Sequence, residues 1–283
     1  MLDLDATRKP NAPRDAATVI MLRDGRGELE AFCVKRHGKI GFAGGAIVFP
    51  GGKVDPSDHD PAWQGLFATE PTRSDELAAD PLLARATVVA ACRELLEEAG
   101  YLPLTGDAPS SEHYETLRRD SSKLIEWLTN DKRRLDGASL VPLSRWLTPD
   151  AEARRFDTRF FLHRASGTAK PIHEGYENTE SFWVTPKEAL MQFDRGEIQL
   201  LPPTHRTLSW LASHETVTSA LEGAAKHTLD IICPRLVQHI DDQGTTLALA
   251  MPGDPEHTIV HSLSEGPSRF VLRGERWIPE NLR

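Results

Sequence analysis

Residues 16–22 (AATVIML) are apolar and rich in β-branched side chains, the turn-forming run DGRG follows, and LEAFCVKR resumes the same character, which predicts a hairpin. Residues 41–45 are rich in glycine and lead into AIVFPGG, a short apolar strand that Pro50, Gly51 and Gly52 are expected to end. Residues 55–80 are dominated by Pro, Asp, Ser and Thr with Trp63 and Phe67 scattered among them, predicting an excursion with at most a short helix. Pro81 then stands where a first-turn proline belongs and Gly100 supplies a stop, so a helix of about five turns is expected between them. Val88, Cys92, Leu95 and Ala99 form one apolar stripe along it. Further on, the pattern predicts a helix over 111–128, strands over 140–148 and 155–165, and a strand at ESFWV followed by a short helix opened by Pro186. The last third holds LPPTHRTLSWLAS and strand-like runs that include LALAMPGDP and RFVLRGERW, with no repeat period.

The chain of 283 residues has room for one large domain or two small ones. Its net charge of −9 argues against a protein that neutralises nucleic-acid or membrane phosphates by itself, so no nucleic-acid or membrane partner is expected. The longest apolar runs fall far short of the roughly 20 residues that span a bilayer. The opening MLDLDATRKP carries no apolar core of a secretory signal, so a cytoplasmic protein is expected. Cys33, Cys92 and Cys233 are odd in number and widely spaced, as reduced core thiols would be.

Chemistry concentrates at the end of the 81–99 helix. Glu94, Glu97 and Glu98 stand at i, i+3 and i+4, which places three carboxylates within an arc of about 100°. The apolar stripe points about 140° away, so they are expected to face outward from the core. Like charges at this spacing repel, and anions in the last turns oppose the helix dipole. A hard divalent cation such as Mg²⁺ or Mn²⁺ reverses that sign. A solvated acidic face with an ordinary Arg93–Glu97 ion pair is the alternative.

FPGGKVDPSD together with RELLEEAGY resembles the Nudix box, G-x5-E-x7-R-E-U-x-E-E-x-G-U, where U is a bulky apolar residue. Arg93, Glu94, Leu95, Glu97, Glu98 and Gly100 match its second half, and Tyr101 serves as the last U. Two departures mark the first half: Asp58 replaces the first glutamate, and 34 residues instead of seven separate it from Arg93. Such an interrupted box is similar to that of the peroxisomal coenzyme A diphosphatases and their bacterial relatives, and AATVIMLRDG, FAGGAIVFPGGKVDPSD and RRFDTRFF resemble the same branch.

The resemblance implies an α/β/α sandwich around a mixed sheet, with a long insertion in the box and a C-terminal extension. It implies Glu94, Glu97, Glu98 and the Gly51 carbonyl as metal ligands, with Gly52 beside them, Arg93 locking a glutamate in place, and Asp58 in a supporting role. The cofactor would be Mg²⁺ or Mn²⁺ and the substrate a small-molecule diphosphate, with coenzyme A or an acyl derivative first. ADP-ribose, dinucleotides and nucleotide sugars stay open, as does a catalytically silent nucleotide-binding module. A general base is needed as well, with Glu174, Glu177 and Glu180 as candidates and Glu177 the choice among them.

Arg36, beside the glycine-rich entrance, and Arg155 are candidate phosphate contacts. Arg154, Arg155 and Arg159 flank Phe156, Phe160 and Phe161, which could bind a nucleotide but suit a core with paired arginines better. His257 and His261 have the spacing of zinc ligands but lack the accompanying glutamate, and they are discounted. The expected layout is a flexible tail over 1–13, a hydrolase domain over 14–205 with its insertion at about 59–85, and an extension over 206–283 packing on the domain or at a homodimer interface. Residues 55–80 are expected to form a flap beside the site, a passive surface insertion being nearly equal to it.

Overall fold

The computed structural model describes residues 3–25, 27–36, 45–106, 111–165 and 178–281. The expected hairpin forms from β1 (Arg14–Gly25) and β2 (Glu28–Arg36), followed by β3 (Ala46–Val48). The chain does not leave the sheet at Pro50, as the glycines suggested: Gly51–Lys53 is a strand, β4, laid antiparallel on β1 with Thr18 opposite Gly51 and Ala17 opposite Gly52. Glycine is what lets it lie there, because a Cβ on Gly51 would come within 2.5 Å of the Ala17 carbonyl oxygen.

The excursion is more ordered than expected. It contains two 3-10 turns (Pro56–His59 and Pro61–Gly65), β5 (Phe67–Thr69) and a single helical turn, α1 (Ser74–Leu77). Trp63, Leu66 and Leu77 are buried in the same core as the main helix, and the Trp63 indole N–H donates to the Ser57 carbonyl. Burying side chains of that size contributes on the order of 1.5–3 kcal/mol each, so the segment is anchored rather than loose.

The main helix, α2 (Pro81–Ala99), keeps the predicted bounds. Asp80 caps it by accepting from the Leu82 N–H at 2.9 Å, and Gly100 ends it in the left-handed region at φ 61°. Val88, Cys92, Leu95 and Ala99 are buried as expected, but so are Ala86, Val89, Ala90 and Leu96. The helix is therefore covered on more than its stripe. The stretch 111–128 is not one helix: α3 (Ser111–Arg119) stops at Asp120, a 3-10 turn follows at Ser121–Lys123, and α4 (Leu124–Asn130) resumes.

The remaining elements are β6 (Leu135–Asp136), β7 (Val141–Leu147), β8 (Phe156–Arg164), β9 (Asn178–Val184), α5 (Pro186–Asp194), β10 (Gln199–Leu200), α6 (Pro202–Leu211), α7 (Val217–Ala224), β11 (Ile231–Ile232), β12 (Arg235–Asp241), β13 (Gly244–Ala250), β14 (Arg269–Arg273) and β15 (Arg276–Glu280). The large sheet runs β10-β3-β2-β1-β8-β7-β11, with β4 also on β1 and β9 on β2. It is mixed: β1 is antiparallel to β2 but parallel to β8, with Arg14 opposite Phe156. On one face Ala17, Val19, Met21 and Phe161 pack with α2 and α4; on the other Ile20, Leu22, Phe160 and Leu162 pack with α6, α7 and the smaller β12–β15 sheet. This is the expected α/β/α sandwich.

Residues 3–13, expected as part of a flexible tail, are instead tied to the fold, because the Asp5 N–H donates to the Ala151 carbonyl at 2.9 Å and the Asp3 N–H to Glu152 at 2.8 Å. Nor does the chain divide at 205, which falls inside α6. Beyond it β11 joins the large sheet on β7, and Leu249, Met251, Phe270 and Trp277 enter its core. No helix among the described residues is long and apolar enough to cross a membrane.

Candidate active site

Strand β4, paired with β1, stands against the end of α2. Gly52 is the contact point: a Cβ there would meet the Glu94 Oε1 at 2.3 Å, so only glycine admits that carboxylate. The Gly51 N–H donates to the Glu98 Oε2 at 3.2 Å. Far from facing outward, Glu94 is mostly buried. Burial pushes its carboxyl up to about 7, with Glu97 and Asp58 adding to the effect and Arg93 opposing it.

Arg93 organises the cluster. Its Nε and Nη2 donate to the two Asp58 oxygens, both at 3.0 Å, and Nη2 also reaches the Lys53 carbonyl at 2.9 Å. Nη1 donates to Glu94 at 2.7 Å and lies 3.4 Å from Glu97. Asp58 has a supporting position despite its shorter side chain, and it also accepts from the Asp55 N–H at 2.8 Å. The 3-10 turn that carries it brings the carboxylate in where a glutamate would reach.

Two contacts from 111–123 escaped the sequence reading. Ser121 Oγ donates to Glu97 Oε1 at 2.5 Å, and Arg118 Nε donates to the Glu97 carbonyl at 3.0 Å. Nothing in a lone serine or arginine beyond the box signals this, because the packing of α3 and the turn after it on the end of α2 is a tertiary effect.

Glu94, Glu97, Glu98, Gly51 and Gly52 line one cavity of about 990 Å³. Arg36, Arg154 and Glu180 line it as well. Arg155 borders the cavity but is engaged: it pairs with Asp150 at 2.5 Å and donates to the Asn11 carbonyl at 2.8 Å, so it holds the wall together rather than standing open to a phosphate. Arg159 is buried against Asp15 at 2.6 Å, and Phe160 and Phe161 belong to the core. Glu174 and Glu177 lie outside the described residues. The histidine pair is no metal site: His257 is in a turn, with one ring nitrogen 2.9 Å from the Cys233 carbonyl and the other accepting from the Ile259 N–H, and His261 is exposed.

Among the described residues no three acidic, histidine or cysteine side chains converge as a ready ion cage, since Glu94 and Glu97 turn onto Arg93. The donor set is nevertheless all oxygen, and the Gly52 cradle delivers a mostly buried carboxylate whose desolvation raises its pKa although Arg93 pairs with it. Those donors suit a hard divalent cation in kind.

The NUDT19 Nudix domain matches residues 73–211. Over that stretch the chain resembles a Nudix domain. It is 27% identical over 270 residues to the acyl-coenzyme A diphosphatase NUDT19 of Xenopus laevis, covering 80% of this chain and 71% of that protein. The human acyl-coenzyme A diphosphatase NUDT19 is also 27% identical, with 67% and 64% covered. Among solved structures, a NUDIX hydrolase from Alicyclobacillus acidocaldarius superposes with a TM-score of 0.66 at 28% identity, covering 75% of this chain and 96% of that one. The Nudix match begins inside the excursion and leaves out the Gly51–Gly52 bend, yet folding returns that bend to the helix that completes the box.

Proposed function

We propose that this chain is a divalent-metal-dependent diphosphatase whose substrate is coenzyme A or an acyl derivative. The observation that carries the reading is the meeting of Glu94, Glu97 and Glu98 with the Gly51–Gly52 bend on the wall of one large cavity. The substrate class rests on the printed activity of the NUDT19 relatives.

In this reading Glu94, Glu97, Glu98 and the Gly51 carbonyl hold Mg²⁺ or Mn²⁺. Such a cation would offset the charge of the diphosphate and ease the deprotonation of the water that attacks phosphorus. The protein's own groups supply order. Arg93, fixed by Asp58, restrains Glu94 and Glu97; Ser121 sets the rotamer of Glu97; and the Gly51 amide holds Glu98. A carboxylate must also take the proton of the attacking water. Glu180 lines the cavity and is the candidate within the described residues, beside Glu177 from the sequence.

The test is a panel of coenzyme A, an acyl-coenzyme A, ADP-ribose and NADH with Mg²⁺ or Mn²⁺, run on the wild type and on Glu97→Gln and Glu98→Gln. Metal-dependent cleavage that favours the coenzyme A compounds and falls more than about a hundredfold in both variants supports the proposal. Turnover unchanged in those variants rejects the site, and equal use of all four substrates rejects the specificity.

A further inference from the structure

The same cavity has a second, basic end. Arg14 opens β1, and Arg154 lies two residues before Phe156, with which Arg14 pairs in the parallel β1–β8 register. A backbone bond from the Arg14 N–H to the Arg155 carbonyl at 2.9 Å fixes the two segments side by side. Both side chains are exposed, both line the cavity, and neither makes an ion pair among the described residues.

That isolation is unusual in an acidic chain, and the neighbouring acids explain it. Asp150 is taken by Arg155, Asp157 by Arg145 and Asp15 by Arg159. Glu152 is buried and accepts from the Asp3 and Arg154 N–H groups. The two guanidiniums are therefore left with their charge directed at the cavity.

Between them and the glutamates lies a floor of small side chains. Ala16 and Thr18 of β1, beside Thr158 of β8, line the cavity, and Thr18 stands opposite Gly51. Four residues of strand place Arg14 about 13 Å from Thr18 along the sheet. A ligand whose diphosphate lies at the Gly51–Gly52 bend and whose sugar crosses the small-residue floor would bring a second phosphate to these arginines.

We propose that Arg14 and Arg154 form a phosphomonoester subsite that selects nucleotides carrying a 3′-phosphate in addition to the diphosphate. The inference rests on the diphosphatase reading and deepens it. Guanidinium is suited to the task because it donates in a fork that matches phosphate oxygens.

The matched probes are coenzyme A and 3′-dephospho-coenzyme A, which differ only in that phosphate. The wild type should favour coenzyme A in kcat/KM. In the Arg14→Ala/Arg154→Ala double variant that preference should shrink by about tenfold to a hundredfold, with the loss concentrated on coenzyme A and carried by KM. Arg14→Lys/Arg154→Lys should restore part of it. Independently of turnover, the wild type should bind adenosine 3′,5′-bisphosphate more tightly than AMP by calorimetry, and the double variant should bind the two alike. Equal binding of the two nucleotides by the wild type, or an equal loss on both coenzyme A forms, overturns the subsite. No turnover of either form together with a retained bisphosphate preference supports the subsite while rejecting the diphosphatase reading.

Discussion

Arg93 grips Asp58 across the excursion: two guanidinium nitrogens each stand 3.0 Å from a carboxylate oxygen although the residues are 35 positions apart. Both partners are buried. Removing one partner of a buried pair leaves a charge that the interior cannot solvate, at a cost of about 3–5 kcal/mol. Arg93 keeps Glu94 and Glu97, so Asp58→Ala should cost about 3 kcal/mol, measured by urea unfolding, and should lower turnover as the glutamates lose their anchor. Asp58→Glu should recover part of both. Full stability in Asp58→Ala would show that the pair contributes nothing net.

The two glycines of the bend should respond differently to the same added methyl group. At Gly51 it meets the Ala17 carbonyl at 2.5 Å and the Thr18 Cα at 2.8 Å, backbone atoms of the central strand that cannot yield cheaply. At Gly52 it meets the movable end of Glu94. Gly51→Ala should therefore unfold at markedly lower temperature, at a cost of about 1–3 kcal/mol on the scale of overpacking. Gly52→Ala should stay folded and lose metal-dependent turnover. Thermal melts beside activity assays check both, and equal melting temperatures would contradict the asymmetry.

His163 is buried with its ring nitrogens 3.2 Å from the Ser139 carbonyl and the Tyr101 hydroxyl, and burial lowers its pKa to about 4. The unfolded chain, with an ordinary value near 6.5, binds this proton more readily than the folded one does. Stability associated with His163 is thus fully present above about pH 6.5 and is lost as pH falls toward 4, by up to about 3 kcal/mol. His163→Gln should flatten the stability profile in that window, followed by urea unfolding from pH 7 to 4. An unchanged slope would place the acid sensitivity elsewhere.

The cysteines should be quiet. Burial pushes the Cys33 thiol up to about 12 and that of Cys233 to about 11, and it raises Cys92 as well. Because the thiolate is the reactive form, iodoacetamide at pH 8 should label the native protein slowly and the denatured protein at all three positions, read by intact mass. Rapid labelling of the native chain would mean that one of these sites opens.

What the sequence made legible were features set by local rules. Asp80, Pro81 and Gly100 bound the helix, and turn residues after β1 define the hairpin. The carboxylate trio was legible for the same reason, since helical spacing alone groups Glu94, Glu97 and Glu98. The misses arose where distant contacts decide. Gly51–Lys53 reads as a breaker yet is a strand because Ala17 and Thr18 offer it an edge. The apolar flank of α2 beyond the predicted stripe is buried because Trp63, Leu66 and Leu77 of the excursion join the same core. Arg155, offered as a phosphate contact although pairing with an acid suited it better, is held by Asp150 and the Asn11 carbonyl, partners that no spacing singles out.

Trp63, Leu66 and Leu77 sink into the core between the two parts of the box. The candidate site is a joint rather than a continuous stretch, and its clamp closes only after the intervening residues have condensed. Loop-closure entropy makes such a distant contact a late one. Heat or mutation that loosens those three anchors should therefore silence the enzyme before the large sheet melts.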